Sequence, residues 1–486
     1  MRYLLVLALT ASLFAAQPLS PAEEALLAPI TANVLKGHIS FLASDALEGR
    51  DTPSKGLDVA AEYIASQFRR NGLEPAGDDG YFQTAAYVNV TQPAEGLEVT
   101  LTSGGKSWKS DKEHVMISSS GATQVKGAAV VKVTITDENT PLPERSVVEG
   151  KAVILIAPQP RSRAMVRKRE SILELGPAIV VTGGFTGFGR TRLREASEAA
   201  GQRPPMITTS DPDFNTFVAS LDADAKLDAN VPAPDIQPVK LKNIIATLPG
   251  SDPVLRDTYI LLTAHYDHIG INPRGEGDRL NNGANDDASG VATVLALAES
   301  FARSAARPKR TLVFMTYFGE EKGLFGSRYY GSHPVFPLAK TIANLNFEHM
   351  GRTDDNEGDR TGKITASGFD YTSLGEALKE AGKATGIEAW KHDTNSDEFF
   401  GRSDNQSLAD SGVPAITVAV SWIFPDYHRP GDHWEKINYP NMEKEVRTCA
   451  LVAERIANSS EPVKWNESNP KTSRYVEASK KLHSTN

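Results

Sequence analysis

Four stretches decide the fold: Asp257–Ala264, DTYILLTA; Arg310–Phe318, RTLVFMTYF; Thr341–Phe347, TIANLNF; and Val413–Val420, VPAITVAV. Each is an apolar run of strand length, rich in β-branched and large side chains, as a strand buried on both faces requires. Between them the pattern turns helical, over Ala288–Arg303, near Leu324–Tyr330 and near Tyr371–Gly382. Strands alternating with helices predict an α/β fold, a mixed sheet flanked by helices on both faces. In open sheets of this kind, chemistry gathers at the carboxyl ends of the strands.

Those ends are where the polar residues stand. DTYILLTA runs into His265, Tyr266, Asp267 and His268, and the Gly/Asn-rich loop NNGANDDASG supplies Asp286 and Asp287. RTLVFMTYFG is followed by Glu320 and Glu321, TIANLNF by Glu348 and His349, and VPAITVAV by a loop with His428, Asp432 and His433. A lone His or carboxylate at a strand end is ordinarily a surface or capping residue. Several such ends converging on one sheet edge supply the imidazole and carboxylate mixture that zinc selects. In His265-x-Asp267 the two side chains share one face of an extended backbone, so Asp267 can orient the imidazole. Adjacent Glu320 and Glu321 diverge, which lets one ligate a metal while the other faces water. His268, His349 and His433 each neighbour a better-placed ligand and are read as supporting residues.

Outward from this core, residues 32–87 read as helical, with Leu35, Ile39 and Leu42, then Val59, Tyr63, Ile64 and Phe68 at helix spacing around the polar turn LEGRDTPSKG. From about Asn89 to Val239 short β-type runs such as GKAVILIAP and GPAIVVTGG predict a separate, small, mostly β domain. Residues 461–486 are polar and predict a loosely held tail. At the front, Arg2, the uncharged apolar run Leu4–Ala16 and Pro18 read as a secretory signal over residues 1–16, too short for a membrane span. That signal predicts export to the periplasm or beyond, and no later run looks long and apolar enough to cross a bilayer, so no membrane span is expected. The net charge of −9, from 52 basic and 61 acidic residues, disfavours nucleic acid as a partner. The single cysteine, Cys449, lies in the apolar stretch RTCALVAERIA and reads as a small core residue, so thiol catalysis is not expected.

The stretches HYDHIG, NNGANDDASGVA, FGEEKGLFGS, NFEHMGR, RSDNQSLADSGVPAI and YHRPGDHWEKINY, with HISFLASDALEGR and YFQT nearer the front, resemble a secreted di-zinc aminopeptidase family. That family includes bacterial leucine-type aminopeptidases and yeast aminopeptidase Y, with glutamate carboxypeptidase and glutaminyl cyclase as relatives. The resemblance covers roughly residues 33–460 and divides them into a peptidase part at 33–95 and 240–460. Residues 96–239 between them are similar to an inserted protease-associated domain. It implies two zinc ions, one on His265 and Glu348, the other on Glu321 and His428, with Asp286 bridging. It implies Glu320 as general base, and Arg402, Ser403 and Asp404 match a segment near the substrate in relatives; Asp267, which orients His265, is read as the second catalytic residue. The family usually has Asp where this chain has Glu348, and the longer side chain must shift or bind differently.

The resemblance further implies hydrolysis of N-terminal residues from peptide substrates. A carboxypeptidase of the same fold would need cationic groups for a terminal carboxylate, and Arg402 is the one candidate in the motif region. Glutaminyl cyclase works with one zinc and would not need His265. An inactive receptor or binding protein on this fold would have lost ligands, whereas every ligand position here holds a metal-capable side chain. The loop Trp422, Ile423, Phe424 and Tyr427 places apolar surface beside His428, either as a pocket for the first residue or as core packing.

Overall fold

The buried runs form strands because β-branched and aromatic side chains fill both faces of a covered sheet. A computed structural model of the chain describes residues 18–137, 139–157, 163–184, 191–199, 203–273 and 275–484. The expected signal at residues 1–16 lies outside the described residues. The chain divides into two compact units, one built from residues up to Ala85 and from Leu241 onward, the other from Ala86–Lys240.

In the first unit the strands that position the site are β1 (Asp235–Leu248), β2 (Tyr259–His265), β3 (Thr311–Tyr317), β4 (Thr341–Phe347), β5 (Lys363–Ala366), β6 (Glu388–Ala389) and β7 (Ala415–Ala419). They lie in the order β6-β5-β7-β4-β2-β3-β1. The central four, β7, β4, β2 and β3, run parallel, while β1 and β5 pair antiparallel at either side. The sheet is therefore mixed and helix-covered. Ile260, Leu261, Leu262, Val313 and Phe314 are fully buried, and each contributes about 1.5–3 kcal/mol of hydrophobic stabilisation. The parallel register brings the carboxyl ends of β2, β3, β4 and β7 to one edge.

The helices of this unit are α1 (Pro21–Leu27), α2 (Ala32–Leu42), α3 (Lys55–Arg70), α4 (Ser289–Arg303), α5 (Leu374–Thr385), α6 (Tyr439–Asn458) and α7 (Ser473–Ser484). In α4 every residue from Ser289 to Phe301 is buried, as an all-round apolar helix requires. Its start is pressed against β4: a Cβ on Gly290 would stand 2.2 Å from the Phe347 carbonyl oxygen, so only glycine fits. Pro21–Leu42 has the length and composition of a membrane span, contrary to the sequence reading that no such run follows the signal. It is folded here as α1 and α2, broken after Ala28 and each capped, by Ser20 and Thr31. Both pack on α4 and α6.

Two other sequence readings are corrected. Phe82–Thr91 is a strand, where the sequence reading had helix through Tyr87, because the buried residues Gln83, Ala85 and Tyr87 alternate with period two. The stretch 461–486 is not a loose tail. It carries α7, and Trp465 and Tyr475 are buried with rings stacked 5.0 Å apart in the same core cluster as Leu261 and Val313. Two anchoring aromatics outweigh a polar composition.

The second unit is an eight-stranded sheet. Its strands Thr123–Thr134, Ala152–Ile156, Ile179–Gly183 and Met206–Thr209 run parallel. Helix Arg163–Glu174 connects the second of these strands to the third, and helix Pro212–Ala219 follows the fourth. Its own core includes Leu101, Trp108, Ile154, Val181 and Phe214.

Candidate metal centre

β2 delivers His265 as its last residue, 1% exposed. The ring's Nδ1 faces Asp267, 3.2 Å from its carbonyl oxygen and 3.5 Å from Oδ1. Asp267 is itself fixed, accepting from the Glu320 amide at 3.1 Å and the Thr52 hydroxyl at 3.0 Å. Nε2 of His265 is thereby turned toward Asp286 Oδ1 at 3.3 Å, Glu348 Oε1 at 3.8 Å and Glu320 Oε2 at 4.0 Å.

The loop before α4 carries Asp286. Its position is set from behind by Asp432, whose carboxylate accepts from the backbone amides of Asn285 and Asp286 at 3.0 and 3.1 Å. Asp287 accepts from the Gly290 amide in the first turn of α4 at 2.9 Å. While Oδ1 of Asp286 faces His265, Oδ2 faces His428 Nε2 at 3.1 Å. His428 Nε2 also lies 3.3 Å from Glu321 Oε2. One carboxylate thus sits between two groups of donors, His265 with Glu348 and His428 with Glu321.

These spacings suit zinc. Two ligands about 2.0–2.1 Å from one tetrahedral ion stand roughly 3.3–3.4 Å apart, close to the 3.3 and 3.1 Å that separate Asp286 from His265 and His428. His268, Asp286 and Glu321 also bring ligand-type atoms within 4.8 Å of one another. However, His268 Nδ1 is 2.8 Å from Glu321 Oε1, a hydrogen-bond distance. His268 is therefore a donor that holds Glu321, while His428 approaches from the cleft. His349 lines the cleft too, with Nε2 3.7 Å from Asp286 Oδ2. His433 lies away from the centre, 3.8 Å from Asp278.

The electrostatics point the same way. Burial pushes the Glu321 carboxyl up, yet His268 and His428 hold it down at about 2. Burial pushes His428 down, yet Asp286 and Glu321 raise it to about 10. Burial, reinforced by Glu348, Glu321 and Asp404, drives Glu320 well above the carboxylate range, against the pull of His265. Carboxylates this crowded and dry require positive charge among them, which a divalent cation supplies.

Glu348 answers the question its length raised. The Ser403 hydroxyl donates to its Oε1, and Asn346 Nδ2 donates to that hydroxyl at 2.8 Å, so the longer side chain is tethered against the β4 side of the cleft. Asp404, expected near the substrate, is corrected. It is 0% exposed and does not line the cleft, and burial raises its carboxyl to about 7. Arg402 does line the cleft, exposed, with its guanidinium 4.3 Å over the Phe399 ring. Trp422 and Tyr427 also line it, Tyr427 stacked on His428 at 4.0 Å, whereas Phe424 is core packing, 1% exposed under Arg352. The cleft is narrow, about 50 Å³. Larger cavities of about 290 Å³ beside Trp465 and about 370 Å³ beside Leu27 hold no comparable set of ligating groups among the described residues.

The sequence reading missed Phe399, Thr52 and the buried Arg50, none of which stands at the end of an apolar run.

Residues 243–453 match the model of peptidase family M28. A probable zinc metalloprotease of Pyrenophora tritici-repentis is 35% identical over 175 residues, covering 35% of this chain and 36% of that protein. Leupeptin-inactivating enzyme 1 of Streptomyces exfoliatus is 30% identical over 177 residues, covering 35% and 34%. The chain spans about a third of the length of these curated relatives. The solved structure of an aminopeptidase from Aneurinibacillus sp. strain AM-1 superposes with a TM-score of 0.58 at 20% identity, over 92% of this chain and 100% of that one, which shows the fold. The match to peptidase family M28 falls on the strands and loops that carry His265, Asp286, Glu320, Glu321, Glu348 and His428.

Proposed function

We propose that this protein is an exported, zinc-dependent aminopeptidase that removes residues one at a time from unblocked peptide N-termini. The observation that carries the reading is the placement of Asp286, one oxygen toward His265 and the other toward His428 and Glu321. His265 and Glu348 would hold one zinc ion, Glu321 and His428 a second, with Asp286 shared. Bound zinc supplies a more acidic water and a polarised scissile carbonyl.

The rest falls to the chain's own side chains. Glu320 takes the proton of the attacking water and passes it to the leaving amine, a task suited to a carboxyl whose pKa is raised by burial. Asp267 keeps His265 in the tautomer that leaves Nε2 free, and through the Glu320 amide it fixes the base relative to the ligand. The carboxylates of Glu320 and Glu348 capture the α-ammonium group. Phe399, Trp422 and Tyr427 form the apolar wall against which the first side chain rests. Arg402 at the rim is the cation available to an anionic group of the substrate. The inserted unit, with GKAVILIAP and GPAIVVTGG on neighbouring parallel strands, is read as a protease-associated domain. The N-terminal run Leu4–Ala16 supports export.

The test combines metal content with direction of cleavage. Zinc-saturated protein is expected to hold two ions and to cleave Leu-4-nitroanilide but not its N-acetylated counterpart, since acetylation removes the charge to be captured. Equal cleavage of the acetylated compound refutes aminopeptidase action. Release of C-terminal residues from blocked peptides favours the carboxypeptidase reading, with Arg402 as its anchor. A stoichiometry of one ion under zinc saturation refutes the shared-carboxylate arrangement.

A further inference from the structure

Beneath the metal centre lies a buried cation with no part in the proposed hydrolysis. Arg50 is 1% exposed and makes no ion pair among the described residues. Its guanidinium instead donates to four backbone carbonyls: Tyr266 at 2.9 Å, Asn282 at 2.8 Å, Gly283 at 3.0 Å, and Leu42. Tyr266 sits between His265 and Asp267, and Asn282–Gly283 lead directly into the loop that carries Asp286. One rigid fork therefore spans two ligand-bearing loops that come from different elements of the chain.

The backbone around Arg50 is bent to make this reach. Glu48, Gly49 and Arg50 are left-handed in succession, with φ of 49°, 69° and 50°. Such residues persist only where their surroundings hold them. A Cβ on Gly49 would stand 2.3 Å from the Asn281 carbonyl oxygen, so the strip lies flat against the Asp286 loop. The contacts run both ways. The amides of His268 and Gly270 donate to the carbonyls of Arg50 and Gly49 at 3.3 and 3.2 Å. Asn282 Nδ2 donates to the Ala43 carbonyl at 3.0 Å and to Asp45 Oδ1 at 2.9 Å. Charge fits as well: burial lowers the guanidinium to about 10, and the carboxylates of Asp267, Asp286, Asp287 and Asp432 counter that loss.

We infer that Arg50 is a positioning residue of the metal centre, a permanently charged strap that fixes the His265 loop relative to the Asp286 loop and makes the turn 45–52 part of the zinc-binding machinery. The inference rests on the reading of the cluster as a zinc site. His428, Glu321 and Glu348 are held by other elements, so loss of the strap falls hardest on the ion that His265 shares with Asp286.

The experiment uses the full-length protein with Arg50→Lys and Asn282→Ala. Lysine keeps the charge but cannot span four carbonyls, and Asn282→Ala cuts the reverse tie while leaving Arg50 intact. Zinc affinity is measured by competition with a chromophoric chelator, and the melting of zinc-free protein by circular dichroism. Arg50→Lys is expected to weaken one of the two zinc-binding steps by about 10- to 100-fold, with the other changed less, and Asn282→Ala to follow several-fold in the same direction. Zinc affinity within twofold of native in folded Arg50→Lys overturns the inference, even if the zinc-free variant melts lower, since that is what a purely structural role would give. Should Arg50→Lys not fold, native zinc affinity in Asn282→Ala overturns it. Native protein that binds no zinc refutes instead the reading of the centre itself.

Discussion

Replacing Glu320 by glutamine separates proton transfer from metal binding. The side chain is nearly isosteric and its surroundings are retained: Asp267 accepts from the Glu320 backbone amide, which the substitution keeps. Glu320 is also outside the donor groups around Asp286, its Oε2 standing 4.0 Å from His265 Nε2. The variant should therefore still bind two zinc ions. What it loses is a positioned base, which contributes roughly 10²–10⁴ in rate, or about 3–5 kcal/mol of transition-state stabilisation. The expected result is a fall of that size in kcat for Leu-4-nitroanilide, with KM changed little. A secondary effect has a fixed sign. Burial holds the Glu320 carboxyl well above its ordinary range, so ionising it at neutral pH opposes folding, and stability is lost as pH rises through the folded pKa. The neutral amide escapes that loss, and the zinc-free variant should melt no lower than native protein at pH 8. Metal content by mass spectrometry, steady-state kinetics and thermal melts read all three. Activity within a few-fold of native at full zinc occupancy would refute the assignment of the base, and loss of a zinc ion would place Glu320 among the ligands.

Further predictions address metal, pH and the cleft wall. Asp286→Ala should abolish binding of both zinc ions, whereas His428→Ala should leave one, as read by elemental analysis after zinc saturation. His38 is held down at about 4 by burial and by the Arg70 charge, with Nδ1 3.0 Å from the Tyr63 hydroxyl. The unfolded chain, with the ordinary value near 6.5, then takes up the proton first, so stability is full above pH 6.5 and falls by about 3 kcal/mol toward pH 4. Urea unfolding of zinc-free protein should show a flatter pH dependence for His38→Gln than for the native chain, and parallel curves would contradict this. Trp422→Ala removes a buried ring 4.9 Å from Phe399 and should cost about 3–5 kcal/mol of stability. It should also raise the Phe-to-Leu ratio of kcat/KM in the nitroanilide series, because the narrow cleft is widened on its apolar side.

What the sequence made legible was whatever depends on local pattern. Buried parallel strands write themselves as continuous apolar runs, so β2, β3, β4 and β7 were readable. The polar residues that interrupt those runs at their carboxyl ends, His265, Glu320, Glu321 and Glu348, were readable for the same reason. Helices α2 and α3 were likewise visible in the spacing of Leu35, Ile39 and Leu42 and of Ile64 and Phe68. Misreadings arose where a few residues outweigh a composition: Trp465 and Tyr475 anchor a polar segment, and the alternating Gln83, Ala85 and Tyr87 turn an apparent helix into a strand. Depth is a property of the folded chain alone. Asp404 and Arg402 are two positions apart, yet one is fully buried and the other faces solvent. Arg50 is the extreme case. An arginine inside the polar turn LEGRDTPSKG carries every local mark of a solvated loop. Only the three-dimensional path of that turn, left-handed over three residues and pressed on the Asn281–Gly283 loop, shows that its charge is surrounded by backbone carbonyls. Local pattern thus reveals the groups that would meet a metal and a substrate, because they must stand at element ends. The groups that hold those ends in register are bonded to backbone from distant parts of the chain, and backbone partners leave no trace in residue type.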